Sequence, residues 1–461
     1  MNFLEAFLKY NQKHKLFAAG EKILIAVSGG IDSVVLLHLF LQIRQEWSLQ
    51  TAVAHFNHHL RGDESDGDEI FVRNLCKKNN IDFFTGSEDV GAYSKAKKIS
   101  IEMGARECRY DFFARVVREH QFDHIALGHN ANDQGETILS HIIRGSGVRG
   151  LSGISPSREA YIRPLLFATR KEIKDYAQQQ NLSFCEDSTN ADISYQRNRI
   201  RHILMPAMAR DFNPNIVKTL NRLGENMAQV DDYLQRQSKD AYLQCLKYRD
   251  NRKIVLDIIK FLAYFEVLQK YILEFVLIDL KKDFRVLDYG TFERIKTLVN
   301  KKQNKTFEIA SDLWIIISGN ELFIGQPEKP QEEIFIQEIP GQYQLWNNLI
   351  FEIKRVAKPL EQVLKMSGSS VEWIDEKCIK VPLKIRTYHH GDRFQPLNLG
   401  GSKKLSDFFI DEKIAVYRRN SIPILESKGR IVWVCGHRLD ERFKITEKTS
   451  SVLKLELRKK Y

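Results

Sequence analysis

The fold of this chain is decided by the stretch Ile23-Leu24-Ile25-Ala26-Val27-Ser28-Gly29-Gly30-Ile31-Asp32-Ser33. Its five leading apolar residues predict a buried strand of a parallel sheet. The two glycines allow a tight turn, and the apolar positions that resume at Val34 predict a helix with Asp32 and Ser33 in its first turn. A strand, a glycine turn and a helix N-terminus direct free backbone N–H groups at one point, which is typical of a phosphate site.

The turn therefore supplies the candidate nucleotide-binding residues, which are Ser28, Gly29, Gly30, Ile31, Asp32 and Ser33. The serine hydroxyls can donate to phosphate oxygens, and the Asp32 carboxylate can hold a cation beside them. No Gly-Lys-Ser/Thr closes the turn, which excludes a Walker loop. Ser-Gly-Gly-x-Asp-Ser after a strand instead resembles the PP-loop of ATP pyrophosphatases, which split ATP into AMP and pyrophosphate. The alternative is a serine-glycine turn with a chance aspartate.

Length and charge indicate a multidomain protein with a polyanionic partner. The chain has 461 residues, 43% of them hydrophobic, which is enough to bury more than one core. Its net charge of +11 favours nucleic acid as a partner, although a lysine-rich surface alone would give the same balance. No membrane-length apolar run interrupts the sequence. The six scattered cysteines favour free thiols in the cytoplasm over a zinc ribbon or a disulfide framework.

Strand and helix patterns alternate through the first 170 residues, which predicts a doubly wound parallel sheet. Two of the predicted strands run into polar loops, at residues 55–62 and at Gly128–Thr137. Open α/β sheets bind their ligands at the carboxyl ends of their strands. We therefore expect both loops to lie beside the glycine turn.

Two pairs of arginines share a helix face by their spacing. Arg106 and Arg109 are three residues apart on one predicted helix, and Arg197 and Arg201 are four apart on another. For Arg197 and Arg201, two guanidinium groups one turn apart suit bidentate binding of phosphates. The alternatives are a solvated basic face for the first pair and ion pairs with nearby carboxylates for the second.

The alternation of strands and helices stops after Pro214. Residues 215–247 read as helical, 252–325 as helices with a hairpin near residues 305–325, and 328–333 as a polar linker. Short strands follow, and they predict a small α+β module. The expected domains are therefore 1–212, nucleotide-binding; 213–327, mainly helical; and 334–461, basic. In the last domain Arg393, Lys403 and Lys404 are candidate phosphate contacts, with a merely solvated face as the alternative.

Four stretches together resemble the bacterial tRNA(Ile)-lysidine synthetase family over nearly the whole chain. They are the PP-loop, residues 128–137 with 144–153, residues 163–202, and the C-terminal motifs at 391–396, 403–409 and 436–438. The first is shared by all PP-loop enzymes, whereas the last two are specific to this family. One difference is Asn132-Asp133, where the family usually has consecutive aspartates. Asn132 keeps an oxygen ligand but lacks the charge, so the resemblance assigns the second carboxylate to Asp133.

The resemblance implies ATP-dependent ligation of lysine to carbon 2 of the wobble cytidine in the CAU anticodon of isoleucine tRNA. ATP adenylates the oxygen on carbon 2, pyrophosphate leaves, and the lysine amine displaces AMP to give lysidine. Asp32 and Asp133 are then the expected Mg²⁺ ligands and, with Arg106, the expected catalytic residues. The expected tRNA contacts are Arg197, Arg201, Arg393, Lys403 and Lys404. L-lysine and this tRNA are the expected partners, with a homodimer as an option and no membrane.

Two other functions stay open at this point. A different PP-loop tRNA-modifying enzyme, such as a thiolase, is the nearer one, and it would be expected to carry paired cysteines. The second is an inactive RNA-binding protein that retains the loop. The intact Ser-Gly-Gly-x-Asp-Ser sequence disfavours that reading, and measurable turnover of ATP to AMP would exclude it.

Overall fold

The computed structural model describes residues 2–59, 62–185, 196–283, 286–301, 304–359 and 370–460. The turn expected at residues 186–190 lies outside these ranges. The chain divides into two compact units, Met1–Tyr233 and Leu234–Tyr461, and each is described by itself. Among the described helices, none combines the length and the apolar character needed to cross a membrane.

The first unit alternates strands and helices, as the sequence predicts. Its helices are α1 (Phe3–His14), α2 (Ile31–Ile43), α3 (Asp63–Lys78), α4 (Val90–Lys97), α5 (Ile101–His120), α6 (Ala131–Ile143), α7 (Val148–Leu151), α8 (Arg170–Gln179), α9 (Gln196–Arg199), α10 (Met205–Asp211) and the first part of α11 (Ile216–Cys245). A π-helical turn, Ile200–Leu204, joins α9 to α10. The strands are β1 (Lys22–Ala26), β2 (Gln50–Asn57), β3 (Asp82–Ser87), β4 (His124–Ala126), β5 (Ser157–Arg158) and β6 (Tyr161–Ile162).

These six strands form one sheet in the order β3-β2-β1-β4-β6-β5. The central strand β1 pairs in parallel with β2 on one side and with β4 on the other, and Ile25 lies opposite both Val53 and Ala126. Only the short edge pair β5–β6 is antiparallel. The predicted doubly wound parallel sheet is confirmed, and the order of its strands reverses at β1, where such sheets bind ligands.

Helix α2 is apolar around most of its circumference, which is expected of a helix buried on nearly all sides. Val35, Leu36, Leu39 and Phe40 are all fully buried in the core against the sheet. Helix α1 covers this core with Phe7, whose ring meets that of Phe40 edge to face at 5.6 Å. Burying a phenylalanine of this kind stabilises the fold by about 1.5–3 kcal/mol. The helix that carries Asp32 is thus held rigidly against the sheet.

The described residues of the second unit form the remainder of α11, four further helices and sixteen strands. The helices are α12 (Ile258–Leu262), α13 (Glu266–Asp279), α14 (Tyr289–Asn300) and α15 (Leu405–Asp411). The strands are β7 (Leu246–Arg249), β8 (Lys253–Asp257), β9 (Lys305–Ala310), β10 (Leu313–Ser318), β11 (Glu321–Gly325), β12 (Ile334–Ile336), β13 (Gly341–Gln344), β14 (Leu349–Val356), β15 (Val371–Asp375), β16 (Leu383–Arg386), β17 (Arg393–Phe394), β18 (Lys403–Lys404), β19 (Ile424–Ser427), β20 (Arg430–Val434), β21 (Arg438–Leu439) and β22 (Val452–Lys459).

The middle of the chain contains more sheet than the sequence predicted. Besides the expected hairpin, strands β7 and β8 complete a five-stranded antiparallel sheet in the order β7-β8-β11-β10-β9. The apolar run of β8 is only Ile254-Val255-Leu256, and periodicity cannot distinguish so short a run from a helix segment. The predicted domain bounds at residues 212 and 334 stay predictions, since the two compact units meet inside α11.

The C-terminal strands form two sheets, β12-β16-β19-β20-β21 and β13-β14-β22-β15, and the two-stranded ribbon β17–β18. A 3₁₀ turn, Val416–Ser421, packs this part against the middle sheet. There the ring of Tyr417 stacks on Phe323 with centroids 4.6 Å apart, and its hydroxyl donates to Glu321 at 2.9 Å. The C-terminal part of the chain therefore packs against the middle sheet through this turn.

Candidate functional site

The glycine turn after β1 is held in shape by its own serines. Gly29 has a φ of +99°, a left-handed conformation that glycine adopts without strain. The Ser33 hydroxyl donates to the carbonyl of Gly30 at 2.8 Å and accepts from the Ser28 N–H at 3.2 Å. The predicted strand, turn and helix are confirmed. Hydrogen bonds within the turn fix the shape of the cradle.

A second loop, which follows β4, lies directly against this turn. A Cβ atom on Gly128 would come within 3.2 Å of the Ser33 nitrogen and 3.3 Å of the Asp32 carbonyl carbon. A side chain at residue 128 would therefore push the two loops apart. This close approach brings the two loops together, as the alternation of strands and helices predicted.

Asn130 joins the two predicted acidic residues. Its side-chain oxygen caps α6 by accepting from the N–H groups of Asn132 (2.9 Å) and Asp133 (3.1 Å). Its side-chain nitrogen donates to Asp32 Oδ1 at 3.0 Å, and its backbone N–H donates to Asp133 Oδ2 at 3.0 Å. Asn130 is fully buried, so all of these bonds are shielded from water. The structure thus places Asp32 and Asp133 on either side of one asparagine.

Among the described residues, no cation forms an ion pair with the Asp32 carboxylate. Burial raises its pKa above the usual range, and the nearby Asp133 charge raises it further, against a lowering by the Asn130 hydrogen bond. No described residue donates a hydrogen bond to Oδ2 of Asp32. A half-buried carboxylate with an oxygen that no described residue engages, at the edge of a phosphate cradle, fits a hydrated Mg²⁺ ion, which keeps several waters and takes few protein ligands.

Asp133 and Glu136 form a second feature, a carboxylate–arginine cluster. The two acids lie three residues apart on one face of α6 and are 7% and 2% exposed. Arg170, Arg197 and Arg201 each bond to both carboxylates. The contacts with Asp133 Oδ1 are 3.1, 3.0 and 3.3 Å, and the shortest ones with Glu136 are 3.0, 3.1 and 2.8 Å. Three guanidinium groups thus face two carboxylates, which leaves the cluster positively charged.

The arginines of this cluster determine the charge state of Asp133. Burial alone would raise the pKa of Asp133, but Arg197 and Arg170 outweigh it and hold that pKa below the usual range. Asp133 is therefore an anion at neutral pH, and its oxygens are already engaged by donors. Its expected role as a metal ligand stays a prediction. Among the described residues, no group of three or more His, Cys, Asp or Glu side chains has the arrangement of a metal site.

The predicted common face of Arg197 and Arg201 brings both of them to Glu136, although a π-helical turn intervenes. π-turns inside helices are frequent at functional sites because they redirect a side chain. Arg201 is 17% exposed, whereas the Arg197 side chain is 46% exposed. Of the two, Arg197 therefore has the guanidinium face that a phosphate can reach. Their predicted contacts with tRNA stay predictions.

A cavity of about 500 Å³ opens beside the glycine turn. It is lined by the turn, by Phe56, by Arg109 of the first predicted arginine pair, and by His129 and Asp68, to which the sequence assigned no role. Arg106, the predicted catalytic arginine, does not line it and lies exposed over the ring of Tyr110 at 4.6 Å. The catalytic role of Arg106 stays a prediction, but Arg109 is the arginine of this pair that reaches the cavity.

Two of these cavity groups are adapted to a ligand. Burial lowers the pKa of the Arg109 guanidinium, so this cation has lost hydration that a phosphate oxygen could replace. Burial, helped by nearby arginines, also lowers the pKa of His129 to about 4, which keeps the ring neutral. Nδ1 of His129 is buried and has no hydrogen-bond partner among the described residues.

The C-terminal part of the second unit brings the other predicted contacts together. Arg393 on β17 lies opposite Lys404 on β18, and Lys403 lies opposite Phe394. Lys403 also pairs with Asp411, whereas Arg393 and Lys404 are exposed. Three residues predicted to contact tRNA thus share one two-stranded ribbon.

A parallel α/β domain with this turn at its switch point defines an ATP-binding protein of the PP-loop class. The family described as the PP-loop domain matches residues 4–208, and the one described as the TilS substrate C-terminal domain matches residues 383–456. The chain belongs to the tRNA(Ile)-lysidine synthase family.

This membership rests on similarity along the whole chain. The tRNA(Ile)-lysidine synthase of Clostridium tetani is 35% identical over 98% of this chain and 97% of its own length. That of Clostridium acetobutylicum is 32% identical over 97% of each chain. Among solved structures, the U34-tRNA thiolase NcsA of Methanococcus maripaludis matches 49% of this chain and 79% of its own, with 18% identity and a TM-score of 0.42. The family resemblance predicted from the four motifs is confirmed.

Proposed function

We propose that this chain ligates L-lysine to carbon 2 of the wobble cytidine in the CAU anticodon of isoleucine tRNA, with cleavage of ATP to AMP and pyrophosphate. The observation that carries the proposal is the contact through Asn130. It joins a phosphate cradle on α2 to a cluster of two carboxylates and three arginines on α6, α8, α9 and the π-turn.

The cradle is proposed to bind the triphosphate of ATP. Its backbone N–H groups and the Ser28 hydroxyl are the proposed donors to the negative charge that develops on the leaving pyrophosphate, and Arg109 supplies a poorly hydrated cation beside them. Asp32 is the residue proposed to hold Mg²⁺, which when bound would neutralise phosphate charge. Carbon 2 of cytosine carries no leaving group, so adenylation of its oxygen is needed before an amine can displace anything.

The carboxylate–arginine cluster is proposed to hold lysine. A free amino acid carries both signs of charge, and this cluster offers carboxylates for the amino groups and guanidinium groups for the carboxylate. Asp133 is an anion at neutral pH, so its charge can attract and orient the attacking amine, whereas its lowered pKa makes it only a weak base for the proton transfer that the sequence suggested. His129, which is neutral and has no hydrogen-bond partner at Nδ1 among the described residues, lines the cavity beside the glycine turn.

The tRNA is proposed to bind through exposed cations on both units. Arg197 presents a half-exposed guanidinium beside the cluster, and the β17–β18 ribbon presents Arg393, Lys403 and Lys404. Such contacts raise the effective concentration of the reactive base without specifying it. All six cysteines are free thiols, which suits the reducing cytoplasm that we propose as the compartment.

The experiment that tests this proposal separates the two half-reactions. The full-length protein is incubated with ATP, Mg²⁺ and an isoleucine tRNA transcript bearing CAU, with and without lysine. Adenylation requires ATP and the tRNA but not lysine, so pyrophosphate should be released in both samples. Release of AMP should require lysine, because the amine displaces it.

A transcript that differs only in carrying uridine at the wobble position is the matched control. It should release neither product, since uracil lacks the 4-amino group that identifies cytosine. AMP release that is independent of tRNA, or equal with both transcripts, would contradict the proposal.

A further inference from the structure

A buried arginine in the second unit contacts the residue that precedes the β17–β18 ribbon. Arg386, at the end of β16, is 5% exposed, yet it carries a full charge. Its Nε donates to Glu426 Oε2 at 2.7 Å, and Nη1 also donates to the carbonyl of Thr387 at 3.0 Å. Its two terminal nitrogens grip Asp392 bidentately, at 2.7 and 3.0 Å. The two carboxylates hold the pKa of Arg386 above its usual value in spite of its burial.

Asp392 in turn organises the start of the ribbon. Its carboxylate accepts the His389 N–H at 2.9 Å, which closes the turn before β17. Its own carbonyl accepts the Leu405 N–H at 2.8 Å, which ties the end of β18 to the same residue. The next residue after Asp392 is Arg393, and the residue before Leu405 is Lys404. Both exposed cations are therefore the direct neighbours of anchored backbone.

The ion pair of Arg386 and Asp392 differs from a surface ion pair because its charges are removed from water. A buried charge is costly unless it is fully bonded, and replacing it by apolar residues is often neutral or stabilising. A buried bidentate arginine–carboxylate pair therefore contributes most where it holds the backbone in a single conformation. Here the geometry that it fixes is that of a two-residue ribbon, too short to hold its own register.

We propose that Arg386 and Asp392 are positioning residues for tRNA binding, which preset the Arg393–Lys404 ribbon to the spacing of tRNA phosphates. This inference rests on the proposed function, in which the ribbon contacts tRNA. Neither residue touches the tRNA. Their role is to remove the conformational cost of ordering the ribbon when the phosphates arrive.

The test compares variants of the full chain in tRNA binding over a range of salt concentrations. Asp392→Asn keeps the size of the side chain and an oxygen that can accept the His389 N–H. It weakens the bidentate ion pair with Arg386. Arg386→Lys keeps the charge and removes the fork, and it serves as the second variant if the first does not fold. Each should bind tRNA about tenfold more weakly at every salt concentration. The slope of log affinity against log salt should not change, because the same cations still meet the phosphates.

Two controls separate this effect from others. Glu426→Gln removes the other carboxylate of Arg386 and leaves the fork to Asp392, so it should bind tRNA normally in spite of a similar loss of stability. Lys403→Ala with Lys404→Ala removes phosphate contacts themselves and should flatten the salt slope by roughly one to two units. Circular dichroism confirms folding in each variant.

The outcomes distinguish the inference from the function on which it rests. Weaker binding at unchanged slope in Asp392→Asn, with normal binding in Glu426→Gln, supports the positioning role. Normal affinity in Asp392→Asn, or an equal loss in Glu426→Gln, overturns it. If the double lysine variant binds tRNA with unchanged affinity and slope, the ribbon is not a tRNA contact, and the inference fails with that part of the proposed function.

Discussion

Replacing Asn130 by alanine should damage both the fold and the chemistry, although Asn130 was not among the predicted site residues. Its side chain caps α6 through two N–H groups and donates to the half-buried carboxylate of Asp32. Alanine removes all three bonds and leaves buried groups unpaired, because residue 130 is inaccessible to water.

The magnitude follows from the separate bonds. Losing an N-cap costs about 1 kcal/mol, within a range of 0.5–2. Losing a hydrogen bond to a charged group costs about 1.5–3 kcal/mol. We therefore expect Asn130→Ala to lower the free energy of unfolding by about 2–4 kcal/mol. Because the Asn130 hydrogen bond lowers the pKa of Asp32, that pKa should rise further, and Mg²⁺-dependent AMP formation should fall at neutral pH.

The measurements are urea unfolding and AMP formation as a function of pH. Asp288→Ala is the matched control, since Asp288 caps α14 at an exposed position by accepting the Thr291 N–H at 2.7 Å. It should cost about 1 kcal/mol and leave the pH profile unchanged. If Asn130→Ala loses no more stability than the control, or if its pH profile is that of the native protein, the bridging role of Asn130 is refuted.

Two further predictions concern the charges of the site. Burial raises the folded-state pKa of Asp32 above its unfolded value, so its stabilising contribution is lost as the pH rises and the ionised group costs stability at neutral pH. Asp32→Asn should therefore raise the melting temperature while abolishing AMP formation; a lowered melting temperature would show that the charge has a native partner. In the carboxylate–arginine cluster, Arg201→Met should lower the free energy of unfolding by about 1.5–3 kcal/mol, because it removes charged hydrogen bonds to the buried Glu136 while the other two arginines still balance both carboxylates. Arg197→Met, at a half-exposed position, should cost about 1 kcal/mol or less, and equal losses in chemical denaturation would contradict the assigned burial.

The sequence predicted the parts of the site that depend on local pattern. The glycine turn, the parallel sheet and the loop after β4 follow from runs of apolar residues and from turn residues, and the structure has them where they were expected. Asn130 and Glu136 also carried local signals that were not used. Asn130 stands three residues before Asp133 in a capping box, and Glu136 stands one helical turn after Asp133.

Other features of the site depend on contacts between distant residues. Arg170 follows a capping Thr169, which predicts where α8 begins but not that its first residue reaches Glu136, 34 residues away. The choice of Arg109 over Arg106 as a cavity residue depends on the rotation of α5 against the sheet. Strands β7 and β8 of the middle sheet were missed because they are too short to show a periodicity. Local pattern thus predicts the elements, and packing determines which side chains meet.

If the product is a cytidine that carries lysine, mass spectrometry of the digested tRNA will detect it. The protein is given ATP, Mg²⁺ and isotopically labelled lysine with isoleucine tRNA, or with methionine tRNA that has the same CAU anticodon. We predict a labelled nucleoside whose mass is that of cytidine plus lysine minus one water, formed from the wobble position of the isoleucine tRNA. An unmodified cytidine in spite of ATP turnover, or a nucleoside that carries sulfur in place of lysine, would contradict the account.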